Sequence, residues 1–371
     1  MRDVTERFLS AVQGSNAPLV TANIWLDGRV VREAVRVVGG QVGSSAAGIV
    51  ESSLSLQFAQ TVALADVDDL HAYGMQVNVL AGFDLEGSEE LVSLGWFEIK
   101  EVSVRENWVW PDWFDALSVG DQDALKLSTV YSLECEDLMS VLAGSDFLAP
   151  IQPSSGVDAW TTIRNLCAGI VSVVDPGFAV KALPAGLVFE WSRLDAIKQI
   201  AALWDGAFPV ITSDGQLTLM TEDGGDTAPA LGVKLNIEMW ERSSDTRGLK
   251  NAVTFLGKTA DGKEIVGYAT EASGAAQYGG PFGFRPARHS SDLMTTQAMV
   301  DAAAASRLTN MIARRSVSQS VSALWNPAYE LRDQILLTLP NRAPLLGVVT
   351  GLTFPLLGGP MRIELRLPLW I

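Results

Sequence analysis

The amino-acid sequence predicts a β-rich α+β fold in which two strand-rich ends flank a small α/β centre. Three observations carry this. Short β-branched, aromatic and alternating runs fill positions 20–135, apolar residues at helical spacing take over between 159 and 204, and strands return from about Trp240 around one long helix at 295–315. A chain of 371 residues is long enough for two to three domains. The sharpest change of composition, Pro150, Pro153, Ser154, Ser155 and Gly156, marks a boundary. The expected division is 1–148, 149–239 and 240–371, with the 295–315 helix inserted in the last part.

Residues 2–13 place Val4, Phe8, Leu9 and Val12 on one stripe, a short helix able to dock on its own domain or a neighbour. Runs 20–26 and 29–38 surround Asp27-Gly28, a hairpin signal, and 39–48 reads as a Gly/Ser loop. Leu54, Leu56 and Phe58 alternate with Ser53, Ser55 and Gln57, as in a half-buried strand. Further strands at 75–81, 91–104 and 125–135 make a barrel or sandwich, and 137–143 reads as one or two helical turns.

In the centre, Trp160, Ile163, Leu166, Cys167 and Ile170 predict a helix over 159–174. A second helix is capped by Ser192, carries Asp195 in its first turn and Leu194, Ile197, Ala201 and Trp204 on one face, and stops at Gly206. After Pro209, the runs 210–212 and 216–219 join at Asp214-Gly215, which suits a type I′ turn. Next comes a strand at 251–257, whose inward set is either Val253 and Phe255 or Ala252, Thr254 and Leu256. Strands 254–257 and 264–270 flank Asp261-Gly262, 274–286 is a Gly-rich loop, and the 295–315 helix turns Val300, Ala304, Leu308, Met311 and Ile312 inward. Strands at 317–324, 334–339, 346–354 and 361–367 finish the chain.

With 43 acidic against 27 basic residues, the formal charge of −16 argues against binding a phosphate backbone. Only 19% of residues are charged and 48% are hydrophobic, which leaves apolar surface for partners and points to an assembly component. No apolar run reaches the roughly 18 residues of a membrane span, and 2–13 mixes acids with bases, so neither membrane insertion nor a secretory leader is expected. Cys135 and Cys167 fall in separate elements and are expected as buried free thiols.

No stretch matches a nucleophile elbow, a zinc-protease helix, a phosphate-binding Walker loop or a dinucleotide fingerprint, and the only histidines are His71 and His289. Asp66, Asp68, Asp69 and His71 are close enough for an oxygen-ligand cation site, but a solvated acidic loop is the better reading, as it is for Glu222, Asp223 and Asp226. Glu134, Glu136 and Asp137 lack the cleft that glycoside hydrolysis needs. The run Gly279 to Phe284 is followed by Pro286 rather than a helix, so it is a loop and not a phosphate cradle. No catalytic, cofactor or metal residues are therefore expected. Trp108, Trp110, Trp113 and Phe114, with Pro111, form a dense aromatic cluster and read as anchors of a subunit interface rather than a sugar platform.

Four patterns stand in order: the hairpin Ser213 to Leu219, the N-x-V-x-F-x-G strand Asn251 to Gly257, the helix Thr295 to Leu308, and the strand opening Leu331 to Leu337. Together they resemble the baseplate hub proteins of tailed bacteriophages, also called tail-associated or minor tail proteins, over about the C-terminal half. The resemblance implies two tail-tube-like β-barrel domains flanking the small α/β domain, and a homotrimer whose six barrels match a hexameric tube. It implies a non-enzymatic virion protein, made in the host cytoplasm, that joins the tail tube to the tip and forms part of the DNA-ejection channel without cofactor. Implied partners are a distal tail or tail-tube protein, the tape-measure protein, tip fibre proteins, and genomic DNA in passage without specific binding. An acidic lumen that repels phosphates fits that role. One departure is Arg332, which precedes Asp333 where the family often has glycine. The alternatives are a tail-tip cell-wall hydrolase and a carbohydrate-binding receptor module built on the tryptophan cluster.

Overall fold

The computed structural model describes all residues except 15, 64–69, 86, 110–125, 185, 205–206, 222–225, 233–236, 243–248, 260–261, 291–293, 314–315, 341–342 and 369–371. It divides into two compact units. The first comprises Met1–Trp240, Val321–Pro344 and Val348–Leu365, and the second Glu241–Ser320, Leu345–Gly347 and Arg366–Ile371.

In chain order the first unit opens with α1 (Glu6–Val12), β1 (Pro18–Leu26), β2 (Arg29–Ser45), β3 (Ser52–Ala63), β4 (Gln76–Asp84), β5 (Glu89–Val109) and β6 (Lys126–Asp137). Then come α2 (Met139–Ala143), α3 (Ala159–Cys167), α4 (Arg193–Ala201), β7 (Phe208–Ile211), β8 (Leu217–Met220), β9 (Thr227–Gly232) and β10 (Ile237–Arg242). The remainder of the chain supplies β11 (Ala252–Lys258), β12 (Glu264–Thr270), β13 (Pro286–Ser290), α5 (Gln297–Ala313), β14 (Ser316–Ala323), β15 (Gln334–Thr338), β16 (Leu345–Pro355) and β17 (Met361–Pro368). A large mixed sheet runs β1-β4-β5-β6-β3-β2-β16-β17-β14-β10, with β15 between β16 and a parallel β9. Because β1 pairs with β2 as well as with β4, the ladder of the first six strands returns on itself. Alternation buries one side of these strands, including Leu54, Leu56, Phe58, Val77, Val79, Phe97 and Leu133. Thr5 caps α1 by accepting from the Phe8 N–H, and Phe8 seats the helix edge-on against Phe83 of β4, 5.2 Å between ring centres. The helix thus docks on its own unit.

The two turn dipeptides behave differently. Asp27 and Gly28 both take positive φ (50° and 72°) between the paired residues Leu26 and Arg29, the two-residue type I′ geometry that the sequence predicts. At Asp214-Gly215 only the glycine does so (74°), and the Gly215 N–H closes back on the Thr212 carbonyl at 2.9 Å. This is a type I turn followed by a left-handed glycine, not the expected I′ turn. The 39–48 stretch is also not the expected loop, since β2 continues through it to Ser45. Gly40 is required there by proximity: a Cβ on it would lie 2.1 Å from the Ser55 carbonyl oxygen of the neighbouring strand.

In the centre, α3 is shorter than the expected 159–174 because Ala168 is extended and Gly169 turns left-handed. Trp160, Ile163 and Leu166 from α3 meet Leu194, Ile197 and Ile200 from α4, Leu217 and Leu219 from β8, and Leu142 from α2 in one cluster. Ser192 caps α4 as expected, accepting from the Asp195 N–H, and Asp158 caps α3 by accepting from the Thr161 N–H. Trp96 of β5 packs against this cluster and lies so close to Gly215 that a Cβ there would come within 2.8 Å of its ring. Cys135 and Cys167 are free and buried, and desolvation pushes both thiols up, that of Cys167 to about 11.

In the second unit, β11 pairs antiparallel with β12 and parallel with β13. Val253 belongs to the core with Ala304 and Leu308, and Phe255 packs beside them, which resolves the two alternatives for this strand in favour of the Val253 and Phe255 face. Val300 is fully buried as expected, whereas Ile312 is exposed, a correction to the expected inward set. Glycines let the helix approach: a Cβ on Gly267 would meet the Val300 backbone at 2.5 Å. Asn251 is completely buried and organises the 274–286 loop through its backbone. Its amide donates to the carbonyls of Ala276 and Gly283 at 3.1 and 2.9 Å, and its oxygen accepts from the Arg285 N–H at 2.9 Å. Ring contacts Tyr278–Phe284 and Arg285–Phe282 complete that loop.

Gly267→Ala is expected to destabilise the protein by about 1–3 kcal/mol, the usual effect of overpacking against a fixed backbone. Urea unfolding read by circular dichroism measures it, and a change below about 0.5 kcal/mol, typical of a neutral surface substitution, would contradict the close helix approach.

Candidate functional site

Register across five strands places polar residues in rows on the side opposite the packed core. Glu98, Glu136, Ser53, Gly43 and Thr353 form one row through β5, β6, β3, β2 and β16. Glu101, Glu134, Ser55, Gln41 and Pro355 form the next, and Ser103, Ser132, Gln57 and Gly39 a third. Residues between these rows, among them Leu54, Leu56, Ile99, Leu133 and Cys135, point the other way and are buried. Lys100 is extruded by the bulge between Ile99 and Glu101 and is paired to Glu98. Within these rows the charge is therefore acidic apart from Lys100, and the other residues are small or uncharged, while the adjoining positions bring Arg105 on β5 and Arg362, 3.8 Å from Glu364, on β17. Ser55 donates to Glu134 at 2.9 Å, and the groove at one end of the face, about 460 Å³, adds Glu51 and Glu364 to its walls.

The same alternation separates the three carboxylates that the sequence groups together. Glu134 and Glu136 are exposed on this face, while Asp137 is turned inward and 6% exposed. They do not converge as a catalytic pair.

Inside the first unit lies a cluster of charges that sequence reasoning missed, around a cavity of about 280 Å³. Arg332 adopts φ +70°, a left-handed conformation that favours glycine. Its N–H bonds the Val349 carbonyl at 2.8 Å, and both terminal nitrogens reach the Glu51 carboxylate, Nη1 at 2.9 Å. The guanidinium also lies 4.6 Å from the Phe208 ring centre. Beside it, the Asp333 carboxylate accepts from the Met1 ammonium and the Glu330 N–H. Burial pushes Asp333 up from its ordinary range against the pull of these donors. Arg2 is held by the carbonyls of Leu94, Pro327 and Tyr329, and burial lowers its pKa. The available signal was the departure at Arg332, since a bulky cation replacing glycine at a turn must be held by something.

Of the aromatic anchors, Trp108 lies in β5 opposite Leu127 of β6. Trp110, Pro111, Trp113 and Phe114 lie outside the described residues, as do Asp66, Asp68, Asp69, Glu222, Asp223, Gly206 and Asp261. His71 accepts from the Tyr73 N–H at 3.3 Å, and Asp226 pairs with the Met1 ammonium at 3.5 Å. Among the described residues no group of three His, Cys, Asp or Glu side chains could hold a metal ion, and no helix is long and apolar enough to cross a membrane.

Arg332→Gly separates two effects. Relief of the left-handed backbone is worth about 1–2 kcal/mol, whereas breaking a buried ion pair costs about 3–5 kcal/mol. The variant is expected to be less stable by about 2 kcal/mol, and an increase in melting temperature would refute the assigned role of the Glu51 pair.

No protein-family model and no curated protein matches the sequence. Solved structures do match along nearly the whole chain. The tail protein from Neisseria meningitidis MC58 is 16% identical with a TM-score of 0.61, over 94% of this chain and 96% of that one. The 43 kDa tail protein of prophage MuSo2 from Shewanella oneidensis is 11% identical with a TM-score of 0.56, over 94% and 98%. The prophage tail protein gp18 from Listeria monocytogenes EGD-e is 11% identical with a TM-score of 0.51, over 93% and 94%. The resemblance read from the four sequence patterns thus holds at the level of fold: this chain has the fold of phage tail proteins.

Proposed function

We propose that the chain is a structural protein of a phage tail tip, the hub that joins the tail tube to the tip proteins, and that its acidic sheet face lines the DNA-ejection channel. The observation that carries this reading is the face itself: rows of serine, glycine and glutamine punctuated by Glu98, Glu101, Glu134 and Glu136 across β5, β6, β3, β2 and β16. An interface to another protein is expected to be apolar at its centre, and a nucleic-acid-binding surface to be basic. This face is neither. A surface of fixed negative charge and small hydroxyls suits a wall along which DNA slides without adhering, because phosphates are repelled over roughly a Debye length of about 8 Å at physiological salt. The fold shared with phage tail proteins supports the same assignment.

In this reading residues 1–148 and 240–371 are two tube-like domains around the α/β part at 149–239, three chains close a ring of six such domains, and the protein acts without enzymatic activity. Closed symmetry favours it, since a heterologous contact that failed to close would grow a filament. The tube or distal tail protein, the tape-measure protein and the tip fibres are the neighbours. Trp108, Trp110, Trp113 and Phe114 anchor a contact between subunits.

An end-on reconstruction of the tail tip is expected to show six similar β-domains from three chains, with the Glu134 and Glu136 face inward. A monomer, a true sixfold ring or an outward-facing acidic wall would end the proposal. Replacing Glu98, Glu134 and Glu136 together with lysine is expected to create salt-sensitive DNA binding in the purified protein, measured by fluorescence anisotropy, and to slow genome release from particles. Unchanged release would remove the lumen assignment. Trp110→Ala with Trp113→Ala is expected to weaken assembly by about 2 kcal/mol or more, as for interface anchors. Sedentary trimers of unchanged affinity in sedimentation equilibrium would rule those anchors out.

A further inference from the structure

β5 outruns one of its neighbours in the sheet. β4 pairs with it only as far as Glu98, and the last bond to that edge runs from the Ile99 N–H to the Met75 carbonyl at 3.0 Å. Past that point β5 continues to Val109 beside β6, and from Glu101 to Glu106 its second edge meets no partner strand among the described residues. Glu101, Ser103, Val104, Arg105 and Glu106 are exposed there, Val104 by 48%. Such an edge presents unpaired N–H and C=O groups and is a template for another strand.

The order of residues along the edge says which strand fits. Register with β6 sets Glu101, Ser103 and Arg105 on the acidic face, opposite Glu134, Ser132 and Val130, and turns Val102 and Val104 to the other face. On either side of Ser103 stands a valine and beyond it a charge, an acid on the N-terminal side and a base on the C-terminal side. The strand is therefore complementary to its own reverse.

We propose that this edge of β5 docks on the same edge of a second copy of the chain, antiparallel and about a two-fold axis through Ser103. Glu101 then stands opposite Arg105 twice, Val102 opposite Val104 twice, and Ser103 opposite its own counterpart. Opposite charges and apolar β-branched residues at facing positions stabilise a strand pair, whereas like charges there destabilise it. Centring the pair on Glu101 or Arg105 sets like charges face to face, and centring it on either valine sets both charges opposite neutral residues. The charges thus select one register. An isologous contact closes at two copies, unlike the head-to-tail contact of a ring, so the inference does not rest on the ring proposed above.

Ser103→Cys in the full chain tests the register, because the natural Cys135 and Cys167 are both buried. Under mild oxidation this variant is expected to give a disulfide-linked pair of chains on a non-reducing gel, since facing Cβ atoms in an antiparallel pair lie about 4.5–5.5 Å apart. Glu101→Cys and Arg105→Cys are each expected to give no linked pair alone, their own copies being roughly 13 Å apart along the strands, and to link when the two variants are mixed. In sedimentation equilibrium Arg105→Glu is expected to weaken self-association on the order of tenfold, and adding Glu101→Arg to it is expected to restore the lost affinity. Absence of a linked pair in Ser103→Cys, equal linking in Glu101→Cys alone, or no restoration by the second charge reversal would overturn the proposal.

Discussion

The double pairing of β2 is the constraint on which the first unit depends. Residues 37–44 bond to β3 on one side while 41–45 bond to β16 on the other, so strands from near the two ends of the chain share one ladder. A strand paired on both edges has no freedom of register, because a slip of one residue would turn Val42 to solvent and Gln41 and Gly43 into the core. Fixing β2 fixes the rows beside it. The division between a packed face and an acidic face is inherited by every strand in the series, and the function proposed for that face follows from register more than from any single glutamate.

Charge in this protein is handled in two ways. On the sheet face Glu134 and Glu136 stand in solvent, where repulsion between them is screened and inexpensive, and Glu98 is paired with Lys100. In the cavity the carboxylates are desolvated and survive by hydrogen bonding: Asp137 to three N–H groups, Glu51 to a guanidinium, Asp333 to an ammonium and an N–H. Removing one member there leaves its partner buried and alone, which is the costly case. The two populations are interleaved in sequence, with Glu136 on the open side and Asp137 on the closed side of the same strand.

Much of this was legible in the sequence. Alternation around Leu54, the Ser192 cap and the Asp27-Gly28 turn each rest on local chemistry and form as expected, as does the periodic face of α5 apart from the exposed Ile312. The failures share a cause. Glycine and serine at 39–48 signal a loop by composition, but the requirement that wins there is close approach to a neighbouring strand, which no local window contains. Helical spacing through Ile170 overshot the end of α3 because Ile170 returns to the same apolar cluster from outside the helix. The charged cavity joins residues as far apart as Glu51 and Arg332, and only the folded chain brings them together.

Asn251 has a consequence for variation. Its side chain addresses carbonyls and an N–H of the 276–285 backbone and none of that loop's side chains. The loop is thus specified by its path and not by its spelling. Exposed side chains away from the ring contacts, such as those of Ala275 and Gln277, can be exchanged while the path persists. The asparagine itself is a fixed post from which different surfaces can be hung, so this fold can diversify what it displays at one place without rebuilding the strand that carries it.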